Sequence, residues 1–417
     1  MECSAETKLA IEGGTPIRST PMSAWPVFDD SAIDVVSSVL KSGRVNYWTG
    51  EEGKLFEREF ADYVGTSHAI TLANGTLALE LALRALGVGP GDEVVVPCRT
   101  FLATASCVVM CGAVPVMADV DLDSQTITAE SIRQVLTPQT KAVIVVHLAG
   151  WPCEMDAILQ LAEEQGLKVI EDCAQAHGAT YKGKHVGSLG HVGAFSFCQD
   201  KIMTTGGEGG MLTTNDKNLW ERAWSFKDHG KSYDAVYNRK HTTVFKWLHE
   251  SFGTNWRLSE MQSAIGREFL QRLPEWVEMR RRNACILSDG LDDIPGLKLV
   301  CPPQDIEHSY YKYYAFLKPE CLNLGWTQER IVLALQAEGI PCGTGSCSEI
   351  YLEKAFEKLG LQPSDRLPVA RQLGETSIML QVHPTLAPAE LNDVCKAVRK
   401  VMSHAVNSNV DSSRHAA

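Results

Sequence analysis

The chain has 417 residues, of which 44% are hydrophobic, and its formal net charge at pH 7 is -12. This length and composition allow a large buried core and exceed one ordinary domain, so two lobes are predicted. The acidic balance argues against a basic surface for nucleic acid, and no apolar run is long enough to span a bilayer. We therefore expect a soluble, cytoplasmic protein that binds neither nucleic acid nor membrane.

The thirteen cysteines lie in scattered apolar runs and show no paired spacing. This distribution is typical of reduced thiols in a cytosolic protein. The pairs Cys107/Cys111 and Cys342/Cys347 have no second pair of cysteines or histidines at zinc-finger spacing. We expect no metal site.

Between residues 67 and 214 short β-rich runs alternate with helical runs, which is typical of an α/β fold with a mostly parallel sheet flanked by helices. A helix is predicted after residue 76, because three leucines recur at helical spacing, Glu80 lies four residues before Arg84, and Gly87 follows the last leucine. The predicted strands are 69–72, 93–97, 114–118, 141–147, 168–171, 194–197 and 210–214.

Past residue 256 the pattern changes to long amphipathic helices, predicted at 259–273 and 276–291. The C-terminal part then combines a strand at 313–317 with helices at 327–338 and 388–404. We predict a large domain at 1–270, a smaller C-terminal α+β domain at 271–405, and a polar, disordered tail at 406–417.

Two residues indicate covalent chemistry. Lys201 lies between an apolar strand and the glycine-rich return at 206–210, and Asp172 follows the apolar strand at 168–171. A lysine that forms a Schiff base with an aldehyde and an aspartate that keeps a pyridine nitrogen protonated are the two groups that pyridoxal 5'-phosphate (PLP) requires. The alternatives are a solvated loop lysine and an aspartate that caps a helix.

A phosphate site is predicted where the strand at 69–72 ends and a helix begins. Gly75 and Thr76 offer free backbone N–H groups and a hydroxyl at the positive end of the helix dipole, and Ser196 can add a second hydroxyl. An ordinary capped helix and a strand serine bonded to backbone are the alternatives.

Two further residues are candidates for the cofactor ring. Gln175 lies three residues after Asp172 and can reach the phenolic oxygen of the same ring, whereas Phe101 follows another strand end and can stack on the ring or belong to the core. Because all these residues occupy successive strand ends of one sheet, a shared ligand is predicted there.

The order and spacing of six segments resemble those of the PLP-dependent nucleotide-sugar aminotransferases of the DegT/StrS type, over about residues 13–404. These segments are 74–76, 97–103, 171–178, 195–201, 206–210 and 253–260. The resemblance implies the fold-type I aminotransferase architecture and a homodimer with the active site at the subunit interface.

By position, the resemblance assigns a role to each of these residues. Lys201 attaches to the cofactor aldehyde and Asp172 binds the pyridinium nitrogen, so these two are the predicted catalytic residues. The remaining cofactor contacts are assigned to Gly75, Thr76 and Ser196 (phosphate), Gln175 (ring oxygen), Phe101 (ring face) and Asn255 (phosphate, lent by the partner subunit).

The resemblance also implies transamination of a nucleotide-linked keto sugar with glutamate as donor. The segment 339–351 is similar to that of enzymes that aminate deoxyhexose 4-ketones for surface polysaccharides, which favours a dTDP-4-keto-6-deoxyhexose as acceptor. A cyclitol-ketone aminotransferase and an aminohydroxybenzoate-type synthase are alternatives. A PLP-dependent sugar dehydratase is less consistent, because histidine replaces the lysine corresponding to Lys201 in those relatives.

Several cations are candidates for substrate binding. Arg99 stands where the family usually has an aromatic residue; it can bind the donor carboxylate or a substrate phosphate, or form a structural salt bridge. The candidates for a nucleotide diphosphate, with solvated surface positions as the alternative, are Lys227, His229, Lys231 and Arg257.

Overall fold

The structure is a computed structural model that describes residues 8–241 and 246–406. The tail predicted to be disordered, apart from Val406, lies outside the described residues. The α-helices are α1 Asp30–Ser42, α2 Glu52–Val64, α3 Gly75–Ala85, α4 Ala103–Met110, α5 Ala129–Arg133, α6 Met155–Gln165, α7 Lys217–Lys227, α8 Tyr233–Tyr237, α9 Glu260–Leu291, α10 Gln328–Ala337, α11 Lys354–Leu359, α12 Pro368–Thr376 and α13 Pro388–Ala405.

The strands form three sheets of seven, four and three strands. Their bounds are β1 His68–Leu72, β2 Glu93–Pro97, β3 Val114–Ala118, β4 Thr140–Val146, β5 Lys168–Asp172, β6 Thr180–Tyr181, β7 Lys184–His185, β8 Val192–Ser196, β9 Gly210–Thr214, β10 Leu297–Lys298, β11 Ile306–Glu307, β12 Tyr313–Leu317, β13 Cys342–Gly343 and β14 Ser377–Leu380. Each strand predicted between residues 67 and 214 is present, with ends within two residues of those expected.

The seven-stranded sheet has the order β1-β9-β8-β5-β4-β2-β3. Strands β8, β5, β4, β2 and β3 run parallel, and β9 pairs antiparallel with both β1 and β8. This arrangement confirms the expected α/β class with a mostly parallel sheet. Because parallel strands end at one edge, Pro97, Asp172 and Ser196 are brought to the same side of the sheet.

Helix α3 begins and ends as its sequence predicts. The side chain of Asn74 accepts the Leu77 N–H at 3.0 Å, Arg84 and Glu80 are 2.6 Å apart, and Gly87 follows the helix with a φ of 75°. The helix packs against α4, α7 and the strands β8 and β9. Its N-terminus is therefore fixed beside the C-terminal end of β8.

The two helices predicted at 259–273 and 276–291 are a single helix, α9, of 32 residues with Pro274 inside it, so the predicted break was wrong. A proline within a helix removes one N–H donor and costs about 3 kcal/mol. Helix α9 packs on α1, α2 and α13, and Leu273 and Val277 on either side of the proline are buried. Burial of such side chains, each worth about 1.5–3 kcal/mol, offsets the cost of the proline.

The C-terminal lobe contains the four-stranded sheet β10-β12-β14-β13, covered by α10 and α13. Its hydrophobic core also includes Leu9, which comes from the N-terminal segment. The division proposed at residue 270 falls inside α9. Helix α9 therefore continues from one lobe into the other, and the N-terminal segment that contains Leu9 packs into the C-terminal lobe.

The described cysteines, twelve in number, are all free. In the described ranges no helix has the length and apolar character needed to cross a membrane.

Candidate active site

Asp172 ends strand β5 and is only 5% exposed. Its Oδ2 accepts the hydroxyl of Thr104 at 2.9 Å and its Oδ1 accepts the N–H of Ala174 at 3.1 Å. Burial raises the pKa of Asp172, and these hydrogen bonds and the positive charge of Lys201 oppose that rise. Residues 173–179 form turns rather than a helix, so Asp172 caps no helix here.

Lys201 lies in the turn that follows β8, with a side chain that is 16% exposed. Its Nζ is 3.8 Å from Oδ1 of Asp200 and has no hydrogen-bond partner among the described residues. The Lys201 carbonyl accepts the indole N–H of Trp25 at 2.9 Å, which fixes the backbone. The result is an accessible amine on a restrained turn, as covalent chemistry requires.

The N-terminus of α3 forms a bare anion cradle beside β8. A Cβ on Gly75 would lie 2.5 Å from Cβ of Ser196, so only glycine allows this approach. Within the described part of the chain, the N–H groups of Gly75 and Thr76 have no acceptor, and Thr76 is exposed. These donors, with the Ser196 hydroxyl, suit a phosphate.

Gln175 and Phe101 flank the same edge of the sheet. Oε1 of Gln175 accepts the Ala149 N–H at 2.8 Å, which holds the amide in place. Phe101 is 69% exposed and lies three residues before Thr104, the residue that contacts Asp172. Its exposure rules out the core position that the sequence left open.

His177 is a nearby residue that the sequence analysis did not single out. It is 1% exposed, and neither ring nitrogen has a hydrogen-bond partner among the described residues. Burial, together with the charges of Lys201 and Arg280, lowers the pKa of His177 to about 3, so the ring is neutral. His177 lies within the segment 171–178, five residues after Asp172, and this position was the available signal in the sequence.

Behind Asp172 lies a second buried network that the sequence analysis also missed. The Nε2 of His147 is 3.0 Å from Oε2 of Glu171, and its Nδ1 accepts the Cys153 N–H at 3.0 Å. Potential ligand atoms of His147, Glu171 and Cys173 lie within 4.8 Å of one another. Because hydrogen bonds already occupy His147 and Glu171, this network supports the end of β5. The remaining N–H donors to Glu171 are those of Gly187, Leu189 and Gly190.

Arg99 is 1% exposed and does not face the cleft as a free cation. Its guanidinium donates to Gln125 Oε1 at 3.0 Å, Ser348 Oγ at 2.7 Å and Ser377 Oγ at 3.0 Å. These partners are neutral and two of them belong to the C-terminal lobe. The placement favours a structural role, through hydrogen bonds rather than the salt bridge considered above.

Asp228 forms ion pairs with two of the four residues that are candidates for binding a nucleotide diphosphate. This carboxylate is fully buried and receives Arg257 at 2.7 Å, Lys231 at 3.0 Å and the indole N–H of Trp48 at 2.9 Å. The charges of Arg257 and Lys231 are therefore partly neutralised within the protein.

The other two candidates differ from each other. Lys227 is fully buried, and its Nζ lies 3.9 Å from the ring centroid of Tyr47 with no described hydrogen-bond partner. His229 has a φ of 61°, in the left-handed region, within the turn that follows α7. The buried position of Lys227 favours neither a surface nor a substrate role. Asn255 is exposed and pairs through its backbone with Asp228.

The residues at the edge of the main sheet fit PLP. Lys201 supplies an amine that makes no hydrogen bond to a described residue, Asp172 supplies a buried carboxylate, and the start of α3 supplies N–H groups with no acceptor in the described ranges. This combination can hold an aldehyde, a pyridine nitrogen and a phosphate of one molecule.

Comparison with known proteins gives a consistent result. The model of the DegT/DnrJ/EryC1/StrS aminotransferase family matches residues 26–399. An aminotransferase from Psychrobacter cryohalolentis has an X-ray structure that superposes with a TM-score of 0.91 at 53% identity, covering 92% of this chain and 99% of that one.

Two similar proteins are named for different kinds of compound, a cyclitol ketone and a GDP-linked sugar. The L-glutamine:2-deoxy-scyllo-inosose aminotransferase of Streptomyces kanamyceticus is 34% identical over 95% of this chain and 97% of its own length. The GDP-perosamine synthase of Caulobacter vibrioides is 36% identical over 85% of this chain and 92% of its own length.

Proposed function

The chain belongs to the DegT/DnrJ/EryC1/StrS aminotransferase family and is a PLP-dependent aminotransferase, and we propose that it moves an amino group from glutamate to a nucleotide-linked keto sugar. A dTDP-4-keto-6-deoxyhexose is the preferred acceptor in this proposal. The observation that carries the reaction class is the Lys201 amine, which lies 3.8 Å from Oδ1 of Asp200 without a hydrogen bond to any described residue, together with the buried carboxylate of Asp172, where the Lys201 charge opposes the rise in pKa that burial causes.

PLP, when bound, supplies an electron sink for the substrate carbon that loses or gains a proton. The carboxylate of Asp172, which Thr104 and Ala174 orient, would face the ring nitrogen and favour its protonated form. The Gly75 and Thr76 N–H groups fix the phosphate end.

Lys201 has two functions in this scheme. With PLP bound, its Nζ would hold the cofactor aldehyde at rest, and once the donor amine had released it, the same Nζ would take the proton from the donor carbon and pass it to the cofactor. In the second half of the cycle Nζ would take a proton from the cofactor and deliver it to the acceptor carbon. The hydrogen bond from Trp25 to the Lys201 carbonyl keeps this lysine in register during both steps.

Two observations support a nucleotide sugar as acceptor. One is the similarity of segment 339–351 to enzymes that aminate 4-keto sugars, and the other is the 36% identity to a GDP-perosamine synthase. A cyclitol ketone is the second candidate, because the relative named for 2-deoxy-scyllo-inosose spans 95% of this chain.

We further propose a homodimer whose two active sites are shared. The exposed position of Asn255 supports a contact with a partner's cofactor phosphate. Apolar side chains of α1 also point outward, with Ile33 55% and Leu40 56% exposed, as a surface that packs against another subunit would require.

The substrate proposal is tested by single turnover. Enzyme loaded with pyridoxamine phosphate is mixed in parallel with a dTDP-4-keto-6-deoxyhexose, a UDP-linked 3-keto sugar and a keto-inositol, and the return of the cofactor absorption band is followed. Glutamate and glutamine are compared as donors in the opposite direction. Fast turnover with the dTDP sugar supports the proposal. Turnover with the keto-inositol alone would indicate a cyclitol-ketone aminotransferase.

A further inference from the structure

A second lysine, Lys312, shares an aromatic neighbour with Lys201. The Nζ atoms of Lys201 and Lys312 lie 4.9 Å and 4.8 Å from the ring centroid of Tyr311, so both amines contact one aromatic ring. Lys312 is half-buried just before β12. Its side chain makes no hydrogen bond or ion pair with any residue in the described ranges.

The acidic group nearest to these amines is already engaged. Asp200 accepts the hydroxyl of Tyr311, and its Oδ1 is 3.8 Å from Nζ of Lys201. Burial lowers the pKa of Lys312 and the charge of Asp200 raises it, so one carboxylate acts on both amines although it forms an ion pair only with Lys201.

Arg280 adds a third cation to the same surroundings. It is 1% exposed, its Cζ lies 5.3 Å from the ring centroid of Trp25, and its NH1 donates to the carbonyls of Tyr310 and Tyr311. Its Nε has no described partner. Arg280 holds the backbone next to Lys312 but is too deeply buried to meet a ligand directly.

The histidines nearby do not change this balance. Burial, with the charges of Arg280 and Lys312, lowers the pKa of His383 to about 4, and His177 is neutral for similar reasons. Among the described residues, the surroundings of Tyr311 therefore contain Lys201, Lys312 and Arg280 against Asp200, while Asp172 is the residue proposed for the cofactor nitrogen. The excess charge is positive.

An excess of half-buried positive charge is unfavourable without an anion. Burial lowers the pKa of Lys312, Asp200 opposes this, and Arg280 and Lys201 lower it further. An anionic oxygen at Lys312 Nζ would relieve this repulsion through a charge-assisted hydrogen bond.

We propose that Lys312 is a substrate-binding residue whose Nζ takes a carboxylate or phosphate oxygen of the substrate while the reacting carbon lies at Lys201. Two sources offer this chemistry, namely the carboxylate of the amino donor and the phosphate of a nucleotide-linked acceptor. The inference deepens the proposed function and rests on the aminotransferase site, but it does not depend on which keto compound is the acceptor.

The test measures equilibrium binding rather than turnover. PLP-loaded enzyme is titrated with glutarate, a stand-in for the donor, and separately with inorganic pyrophosphate, a stand-in for the acceptor, and binding is read by calorimetry and by the cofactor absorption band. The variants are Lys312→Gln, Lys312→Met and Lys312→Arg. The matched control is Lys318→Gln, since Lys318 is also half-buried and follows the other end of β12.

Loss of a charge-assisted hydrogen bond predicts about tenfold or greater weakening for one probe in both uncharged variants. Lys312→Arg should remain within about threefold of wild type, because it keeps the charge. Weaker glutarate binding identifies the donor carboxylate, and weaker pyrophosphate binding the acceptor phosphate.

The proposal is overturned if either uncharged variant, shown by circular dichroism to be folded, binds both probes like wild type, or if Lys318→Gln weakens binding equally. Because no keto sugar is used, failure of the proposed acceptor in the turnover assay leaves this result independent.

Discussion

The hydroxyl of Thr104 donates a hydrogen bond to Oδ2 of Asp172 across 2.9 Å. Thr104 lies in the first turn of α4, after β2, and Asp172 ends β5, so the contact joins the start of a helix to the end of a strand at the edge of the main sheet. Thr100 in turn lies 2.9 Å from Thr104, hydroxyl to hydroxyl. The orientation of the carboxylate proposed to be catalytic therefore depends on the segment that follows β2 and begins α4.

Thr104→Val should lower turnover without unfolding the protein. The substitution keeps the shape of the side chain but removes one donor from a buried carboxylate, a loss of about 1–3 kcal/mol. We expect the single-turnover rate with glutamate to fall about tenfold or more.

Thr104→Ser, which restores the hydroxyl, is the matched control and should recover most of the rate. Asp172→Asn gives the reference for complete loss of the carboxylate charge. A Thr104→Val rate within twofold of wild type would show that Ala174 alone is sufficient to orient Asp172.

Arg99→Lys should lower stability rather than substrate affinity. A lysine cannot make the three separate hydrogen bonds that Arg99 makes to Gln125, Ser348 and Ser377. Loss of two charge-assisted bonds corresponds to about 3 kcal/mol or more in the free energy of unfolding, measured in urea.

The control for Arg99 is Arg371→Lys, an exposed arginine paired with Glu375, which should change stability by about 0.5 kcal/mol or less. A large rise in the KM for glutamate at unchanged stability would instead indicate that Arg99 binds the substrate.

His308 should make the protein less stable in acid. Burial, with the charge of Arg281, lowers its pKa in the folded protein to about 3, whereas the pKa of a histidine in the unfolded chain is about 6.5. As the pH falls below the unfolded value, only the unfolded chain takes up the proton, so stability is lost progressively down to the folded pKa at up to about 1.4 kcal/mol per pH unit.

His308→Asn removes this titration and keeps an acceptor for the Tyr310 N–H, which His308 Nδ1 accepts at 2.8 Å. The difference in unfolding free energy between wild type and variant should change by about 1 kcal/mol or more between pH 6.5 and 5. Parallel pH profiles of the two proteins would mean that His308 is protonated or open in the native state.

The sequence indicated the main sheet well, because buried parallel strands give continuous apolar runs between helical segments. The order of the predicted strands also indicates one edge as the expected ligand site, and so the sequence predicts Lys201, Asp172 and Gly75 together. Pro274 misled the prediction, because tertiary packing on both sides of a proline has no local signal.

Other features depend on contacts between distant segments. The burial of Arg99 depends on Ser348 and Ser377, more than 240 residues further along the chain. The role proposed for Lys312 depends on the Tyr311 ring that it shares with Lys201, a contact between residues more than 100 positions apart that has no local signal in the sequence. Charge balance in a cleft cannot be obtained from the linear order of residues.

Mixed subunits should regain activity if the sites are shared. Lys201→Ala and Asn255→Ala are each expected to be inactive as pure proteins, but a heterodimer contains one intact site. Mixing after mild dissociation should therefore raise the rate well above both parents. A mixture that never exceeds its parents, although native mass spectrometry shows exchange, would contradict the shared site.

Covalent trapping tests whether Lys201 holds the cofactor. Borohydride reduction of the PLP-loaded protein followed by peptide mapping by mass spectrometry should place the phosphopyridoxyl group on Lys201, and Lys201→Ala should lose the label and the visible absorption band. A label on Lys312 or Lys227, or a labelled Lys201→Ala protein with an unchanged band, would contradict the account.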